Sequence, residues 1–309
     1  MMAKRKKGDP IHGWVVLDKP EGMGSTDAVS AVRRTLNAQK AGHGGTLDPF
    51  ATGLLPIALG EATKTVQYVM DGAKSYRFTL RFGVETDTLD PEGEAIETSE
   101  IRPDDAAIQA AIPGFLGEID QIPPAYSAIK MDGKRAYDRV RAGETVEMQP
   151  RRVRIDALRL IGRPDADHAV FDVDCGKGTY IRSLGRDLAK VLGTVGSLTA
   201  LRRTKVGPFA ENQAISLDAL AQIGHKPGQS RGLLAIEAAL DGIPAMVLSE
   251  VETVRLRNGQ PVPLLRKVDL ARIADLKDGD EVVAFCGEEA VALARYGKGE
   301  IRPVRVLNR

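Results

Sequence analysis

Hydrophobic and polar positions alternate most cleanly over Ser75–Phe82. There Tyr76, Phe78, Leu80 and Phe82 take one side and Arg77, Thr79 and Arg81 the other, the period of a half-buried strand. Ala169–Cys175 repeats the pattern, with Phe171, Val173 and Cys175 set against Asp172 and Asp174, and Val153–Leu160 reads as a further strand. Trp14–Leu17 is a short apolar strand closed by the Lys19-Pro20 turn and by Gly22 and Gly24. The period changes to that of a helix twice. After Ser25 or Thr26, either of which can serve as N-cap, Ala28, Val29, Val32 and Leu36 share one side. After Gly176-Lys177-Gly178-Thr179-Tyr180, an apolar stripe runs through Ile181, Leu184, Leu188 and Leu192, and Arg182, Arg186 and Lys190 form a basic one. Helices are also predicted over Glu61–Met70 and Pro103–Ile112, with a short apolar strand ahead of the first. Pro123 and Pro124 stop any continuation, and the stretch from there to Pro150 reads as an excursion from the core.

From about Gly242 the texture becomes short Val, Leu and Phe stretches separated by Gly, Pro and Asp. Ala245–Leu248, Val262–Leu265, Glu281–Cys286, Ala290–Arg295 and Pro303–Leu307 predict a small all-β module behind a linker at Leu240-Asp241-Gly242. The whole is a mixed α/β domain carrying a β appendage. With 309 residues and 43% hydrophobic content, the chain can bury a sizeable core without staples. Cys175 and Cys286 stand far apart and outside any C-x-x-C pair, which fits a reducing, cytoplasmic setting and suggests neither a disulfide framework nor a zinc cluster. Lys4-Arg5-Lys6-Lys7 is followed by Gly8-Asp9-Pro10 where a signal peptide needs an apolar stretch, so residues 1–10 read as a basic arm. No run approaches the ~18 apolar residues of a membrane span, and no membrane association is expected.

Net charge is +1, yet between Lys177 and Lys205 seven basic residues face one acidic one. Such a cluster fits either a docked polyanion or a solvated surface. The glycine-rich turn at Gly176–Tyr180 could present helix N–H groups to a phosphate, but it matches neither a P-loop nor a dinucleotide fingerprint. The chemistry points elsewhere. Gly42-His43-Gly44-Gly45-Thr46-Leu47-Asp48-Pro49 packs three glycines ahead of one carboxylate, and Pro49 biases Asp48 away from helical geometry. That loop can display a catalytic acid, or Asp48 can cap a short helix with Pro49 at its first position. Asp87 and Asp90 read as turn formers. His12, His43, His168 and His225 are dispersed, and neither H-E-x-x-H nor G-x-S-x-G occurs, so no metal or cofactor is implied.

Gly42–Pro49 resembles the signature of the TruB family of pseudouridine synthases. Leu17-Asp18-Lys19-Pro20 with Gly24-Ser25-Thr26 resembles the family's opening, and Ala51-Thr52-Gly53-Leu54-Leu55-Pro56 its continuation. Tyr76 with Gly83 and Thr86-Asp87-Thr88, Pro123–Lys130, Lys177–Arg182 and Leu201-Arg202-Arg203-Thr204 follow in the family's order. The resemblance covers nearly all of the first 210 residues.

It implies a pseudouridine synthase fold with a central, mostly antiparallel sheet over residues 11–240, an RNA-gripping insertion at about 123–150, and a PUA-like RNA-binding β-barrel over 242–309. The implied activity is isomerisation of uridine-55 in the TΨC loop of tRNA, without a cofactor, by a monomer whose partner is the TΨC arm. The resemblance makes Asp48 the nucleophile and Arg182 its cation, which keeps a buried carboxylate ionised. Tyr76 packs on the target base with a part in proton transfer, while Tyr180 and Leu201 contact the flipped nucleotide. His43 meets the RNA where that nucleotide leaves the stack, and Lys19 and Arg202 are further substrate-binding positions. A protein that binds and folds tRNA without chemistry is the second reading.

Overall fold

The alternating segments found in the sequence pair into one sheet, and the helical ones pack on its apolar face. The computed structural model describes residues 8–131, 133–223 and 232–309; Lys4–Lys7 of the basic arm and His225 lie outside it. The chain begins with β1 (Gly13–Lys19), α1 (Ser25–Thr35), β2 (Ala41–His43), β3 (Thr52–Leu59), α2 (Val66–Asp71), β4 (Lys74–Phe82), β5 (Val84–Thr86) and β6 (Ala95–Thr98). Next come α3 (Asp105–Ala111), β7 (Gly117–Gln121), β8 (Lys130–Met131), β9 (Lys134–Arg135), α4 (Ala136–Arg141), β10 (Arg151–Gly162) and β11 (His168–Cys175). After them lie α5 (Ile181–Val191), β12 (Gly196–Val206), β13 (Phe209–Ala210) and α6 (Leu217–Ile223). The last part holds β14 (Ala245–Val247), α7 (Glu250–Arg257), β15 (Val262–Pro263), α8 (Leu270–Ile273), β16 (Glu281–Cys286), β17 (Glu289–Gly297) and β18 (Glu300–Val306).

Strands β1-β3-β12-β4-β11-β10-β7 lie in that order, with β2 on β3 and β13 on β12. Every pairing along this order is antiparallel except β3 with β12. One face carries Phe78, Leu80 and Phe82 of β4, Phe171 and Val173 of β11 and Leu201 of β12 against Ile181, Leu184 and Leu188 of α5. Each such side chain contributes roughly 1.5–3 kcal/mol by leaving water. Behind β4 and β11 the opposite face is polar, with Arg77 of β4 paired to Asp172 of β11 at 2.8 Å, whereas β1 and β3 are buried on both faces.

Three local expectations change. Neither Ser25 nor Thr26 caps α1; Gly24 does so without a side-chain bond, and the Ser25 hydroxyl exchanges 2.8 Å bonds with the Leu47 backbone instead. The helix expected over Glu61–Met70 breaks at Thr65 into a 3-10 turn over Gly60–Lys64 and α2, and the Thr65 hydroxyl bonds back to the Ala62 carbonyl. The 11-residue β12, at the centre of the sheet, falls where the sequence shows only a basic run.

That basic run does not form one face. Lys177 pairs with Asp71 at 2.9 Å and Arg186 with Asp187 at 2.8 Å, while Arg182 and Arg203 turn inward, 4% and 1% exposed. The basic stripe expected on α5 therefore loses its first member to the interior.

Gly53 shows how closely the centre is packed. Its φ is +95°, and a Cβ there would lie 2.3 Å from the Arg203 carbonyl oxygen on β12. Gly53→Ala is expected to cost roughly 3 kcal/mol or more in chemical denaturation, from backbone strain plus strand separation. A loss below about 1 kcal/mol would show that β3 and β12 part freely.

The five expected C-terminal strands all form, in the order β14-β16-β17-β18-β15, with α7 and α8 as additions the sequence did not signal. The end strands β14 and β15 do not pair with each other, so the module is a half-barrel and not a closed one. It shares a core with the larger domain. Val283, Leu293 and Leu307 pack with Trp14, Leu54 and Phe209, whose rings at Trp14 and Phe209 stand 5.3 Å apart. Polar ties surround that core, from Tyr68 Oη to Glu281 at 2.7 Å and from Lys64 Nζ to the Val306 carbonyl at 2.7 Å.

Candidate active site

One open pocket gathers the glycine loop between β2 and β3, strands β4 and β12, the N-terminus of α5 and the Ser127–Ile129 segment. The loop is shaped by bonds to its own backbone, which free its side chain for the pocket. Gly45, at φ +122°, makes the turn. Arg203 of β12 donates to the carbonyls of Leu54 at 2.8 Å, Thr46 at 3.1 Å and Gly45 at 3.0 Å. From the other side Lys19, wholly buried, gives its ammonium protons to the carbonyls of Pro20, Met23 and Pro49 at 2.8–3.0 Å. Two buried cations thus fix the backbone on both flanks of Asp48.

Asp48 keeps about a third of its side-chain surface exposed, at 32%. Arg182 Nε lies 2.9 Å from its Oδ2 and is only 5% exposed, so the pair joins a reachable carboxylate to a sheltered cation. The Nε–H is not aligned on that oxygen, and charge couples the two more than a directed bond. Arg182 is held in turn by Asp90 at 3.1 Å and by the carbonyls of Thr88 at 2.7 Å and Tyr126 at 3.0 Å. Asp90 is 3% exposed and also accepts from the Thr88 hydroxyl and the Glu92 N–H.

Burial raises the Asp48 carboxyl above its ordinary range, Arg182 and Lys19 oppose the rise, and Asp90 adds to it. The Tyr76 hydroxyl is likewise pushed up by burial and pulled back by Arg203. Burial lowers Lys19 and Lys74 to about 8, and lowers His43 as well.

The structure brings five expected residues together around the pocket: Asp48, Tyr76, Tyr180, Arg182 and Leu201. Tyr76 and Leu201 reach it because β4 and β12 pair Arg203 with Tyr76 and Leu201 with Phe78, putting all four on one face. His43 sits one turn back, on β2, where its Nδ1 accepts the Gly45 N–H at 3.4 Å, and it is not part of the pocket lining.

Two expected substrate contacts lie elsewhere. Lys19 does not border the pocket, because its donors are spent on the three carbonyls behind the loop. Lys19→Met is therefore expected to lower the melting temperature, stranding buried carbonyls at roughly 1–3 kcal/mol each, and a melting curve unchanged within about a degree would refute this role. Arg202 projects from the opposite face of β12, clamped by Asp18 at 3.0 and 3.1 Å and by Glu211 at 2.7 Å.

Residues the sequence reading passed over take their places. In the sequence Asp90 reads as a turn former, Arg203 as a member of the basic run, and Lys74 carries no signal, yet all three are more than nine-tenths buried at the site. The missing signal was the strand at 196–206: with period 2, Arg203 shares the Leu201 face and Arg202 does not. Among the described residues no cluster of His, Cys, Asp or Glu could hold a metal ion. The site offers an ionisable carboxylate backed by a cation, beside walls of Tyr76, Leu201, Tyr180 and Met70. That suits a flat, uncharged ring brought to a nucleophile from outside.

The chain is similar to known proteins along its whole length. Residues 33–181 match the TruB family pseudouridylate synthase N-terminal domain, and residues 182–241 match the tRNA pseudouridylate synthase B C-terminal domain. The chain is 52% identical over 307 residues to tRNA pseudouridine synthase B of Caulobacter vibrioides, covering 99% of each. It is 51% identical over 307 residues to the protein of the same name from Rhodospirillum rubrum, covering 99% of this chain and 100% of that one. In fold it is similar to a chain of a Cbf5-Nop10-Gar1 complex, at TM-score 0.73 and 26% identity over 96% of this chain and 85% of that one. A chain of an H/ACA RNP bound to a substrate RNA superimposes with TM-score 0.72 at 24% identity, covering 99% and 92%. With family models matching residues 33–241 and relatives of about half identity matched over its full length, the chain belongs to the TruB family of pseudouridylate synthases.

Proposed function

We propose that this enzyme converts uridine-55 in the TΨC loop of tRNA to pseudouridine, with Asp48 as the nucleophile. The observation that carries the proposal is Asp48 at 2.9 Å from buried Arg182, reachable from solvent and flanked by Tyr76 and Leu201. The activity on tRNA named for relatives at about half identity supports the choice of substrate. Detaching the base requires the ionised carboxylate to attack C1′ of the sugar or C6 of the ring. The N1–C1′ bond breaks, the uracil turns between the apolar walls, C5 bonds to C1′, the bond to the Asp48 carboxylate breaks, and N1 gains a proton as C5 loses one. Atoms balance without a redox partner, since product and substrate are isomers.

Arg182 keeps Asp48 ionised against burial, and Asp90 keeps Arg182 in place. Turning the nucleotide out of the loop costs a few kcal/mol, which backbone contacts elsewhere must offset. The insertion at 123–150 is suited to supply some of them: the guanidinium groups of Arg135 and Arg141 lie 5.7 and 5.6 Å from the Tyr137 ring, on β9 and α4. The module at 242–309 would extend the RNA-binding surface.

The decisive experiment follows release of tritium from tRNA labelled at C5 of uridine, with a transcript carrying cytidine at position 55 as the control. Release from the first and none from the second is the expected result; equal release from both would place the modified uridine elsewhere. The rate should also fall on acidification, with a midpoint above the ordinary 3.8 of an aspartate, because Asp48 acts ionised and burial favours its neutral form. A single-turnover rate flat down to about pH 4 would contradict a raised Asp48 as the attacking group.

A further inference from the structure

Gln121, the last residue of β7, is 1% exposed and lies outside the pocket lining. Its side-chain amide nevertheless faces the backbone of a pocket residue. Nε2 donates to the Tyr180 carbonyl at 3.1 Å and Oε1 accepts the Tyr180 N–H at 2.8 Å. This is the pair of bonds that a neighbouring strand would exchange, made by a side chain where β7 has ended. Tyr180 is the residue before α5 and lacks a side-chain cap, and its carbonyl also accepts the Leu184 N–H that opens the helix. Arg182 follows two residues later.

The same short segment of chain meets the helix again. The Ile122 carbonyl accepts from Ser183 Oγ at 2.8 Å and Arg186 Nη2 at 2.9 Å, and the Tyr126 carbonyl accepts from Arg182 Nη2 at 3.0 Å. Residues 121–126 lead directly into the 123–150 insertion. The start of α5 therefore takes its position from the root of the insertion, where Gln121 uses both a donor and an acceptor on the backbone of a single residue.

We propose that Gln121 is a positioning residue for pseudouridine formation: by clamping the Tyr180 backbone it sets the Tyr180 ring and the Arg182 guanidinium against Asp48. The inference rests on the function proposed above. A buried amide is well suited to the task. Glutamate would lack the donor for the Tyr180 carbonyl, leucine would lack both groups, and asparagine would be one methylene short.

The test compares the full-length wild type with Gln121→Leu and Gln121→Glu in single-turnover pseudouridine formation on tRNA. Binding of tRNA and thermal melting are measured alongside, from roughly pH 5.5 to 8.5. Gln121→Leu should be slower by about 10- to 100-fold, the effect of misplacing a catalytic group by an ångström, with tRNA affinity nearly unchanged. Gln121→Glu should be equally slow at the alkaline end. As pH falls, its rate relative to wild type should climb, because burial favours the neutral acid, whose O–H restores a donor to the Tyr180 carbonyl. A structural role alone would move both variants together at every pH.

The proposal is overturned by a Gln121→Leu rate within about twofold of wild type, or by a Gln121→Glu to wild-type ratio that stays flat with pH. If Gln121→Leu does not fold, the pH response of Gln121→Glu decides by itself. Wild-type protein that forms no pseudouridine in this assay would count against the proposed function, whereas active wild type with unaffected variants would count against Gln121 alone.

Discussion

Asp48→Asn is expected to bind tRNA as the wild type does and to form pseudouridine at least ~10⁴-fold more slowly, the scale seen when a nucleophile is removed. The substitution preserves shape and volume, so the loop set by Lys19, Ser25 and Arg203 stays in place. Arg182 loses one partner but retains Asp90, Thr88 and Tyr126, which limits the structural effect. Affinity is not expected to suffer, because removing a negative charge from the path of an RNA backbone cannot repel it. The measurement pairs filter binding of tRNA with nucleoside analysis of the product. A near-native rate in this variant would reassign the protein to the other reading, a tRNA-binding and folding factor that needs no chemistry.

Arg182→Met is expected to fail in a second way. It leaves the carboxylates of Asp48 and Asp90 together in a sheltered site with no cation between them. Breaking a buried pair from one side typically costs about 3–5 kcal/mol, so the variant should melt well below wild type as well as lose activity. Acid should narrow the melting gap. Without Arg182, the charge that opposes the upward push on Asp48 is gone, so its carboxyl rises further above the ordinary range in the folded state. A folded carboxyl with a raised pKa binds its proton more tightly than the unfolded one, so the destabilisation is relieved as pH falls through the folded value. Arg182→Lys should not restore activity, because one compact ammonium cannot reach Asp48, Asp90 and the two carbonyls at once. A melting gap independent of pH, or an active lysine variant, would show that the guanidinium is not what holds the two acids.

Much of this molecule is legible from its hydrophobic pattern, and the parts that are not share one cause. Strand β4 and strand β11 announce themselves because their inward residues are Phe, Leu and Val and their outward ones are charged. Helix α5 is equally plain from Ile181, Leu184 and Leu188. Strand β12 is not, because Arg203 occupies an inward position where the pattern calls for an apolar residue. What makes that burial tolerable is a set of carbonyls at Gly45, Thr46 and Leu54, about 150 residues away in sequence. No window of neighbouring residues contains that information. Arg182 and Lys19 are inconspicuous for the same reason, since a basic residue in a short motif looks like surface until its acceptors are assembled. The glycine loop by itself marks Asp48 as a displayed acid, the roles of Tyr76 and Leu201 beside it come only from a family resemblance, and Asp90 needs the fold to bring it to Arg182.

The loop that carries Asp48 is gripped from behind by Lys19 and from beside by Arg203, with Ser25 holding its middle. A segment bonded in this way has little freedom left to fold down over a guest. Catalysis here resembles work at a fixed anvil: the tool stays where it is, and the piece has to be brought to it and turned. Deformation on the way to reaction then falls mainly on the RNA. A tRNA arm that resists opening would be refused on mechanical grounds, even when its bases spell the right sequence.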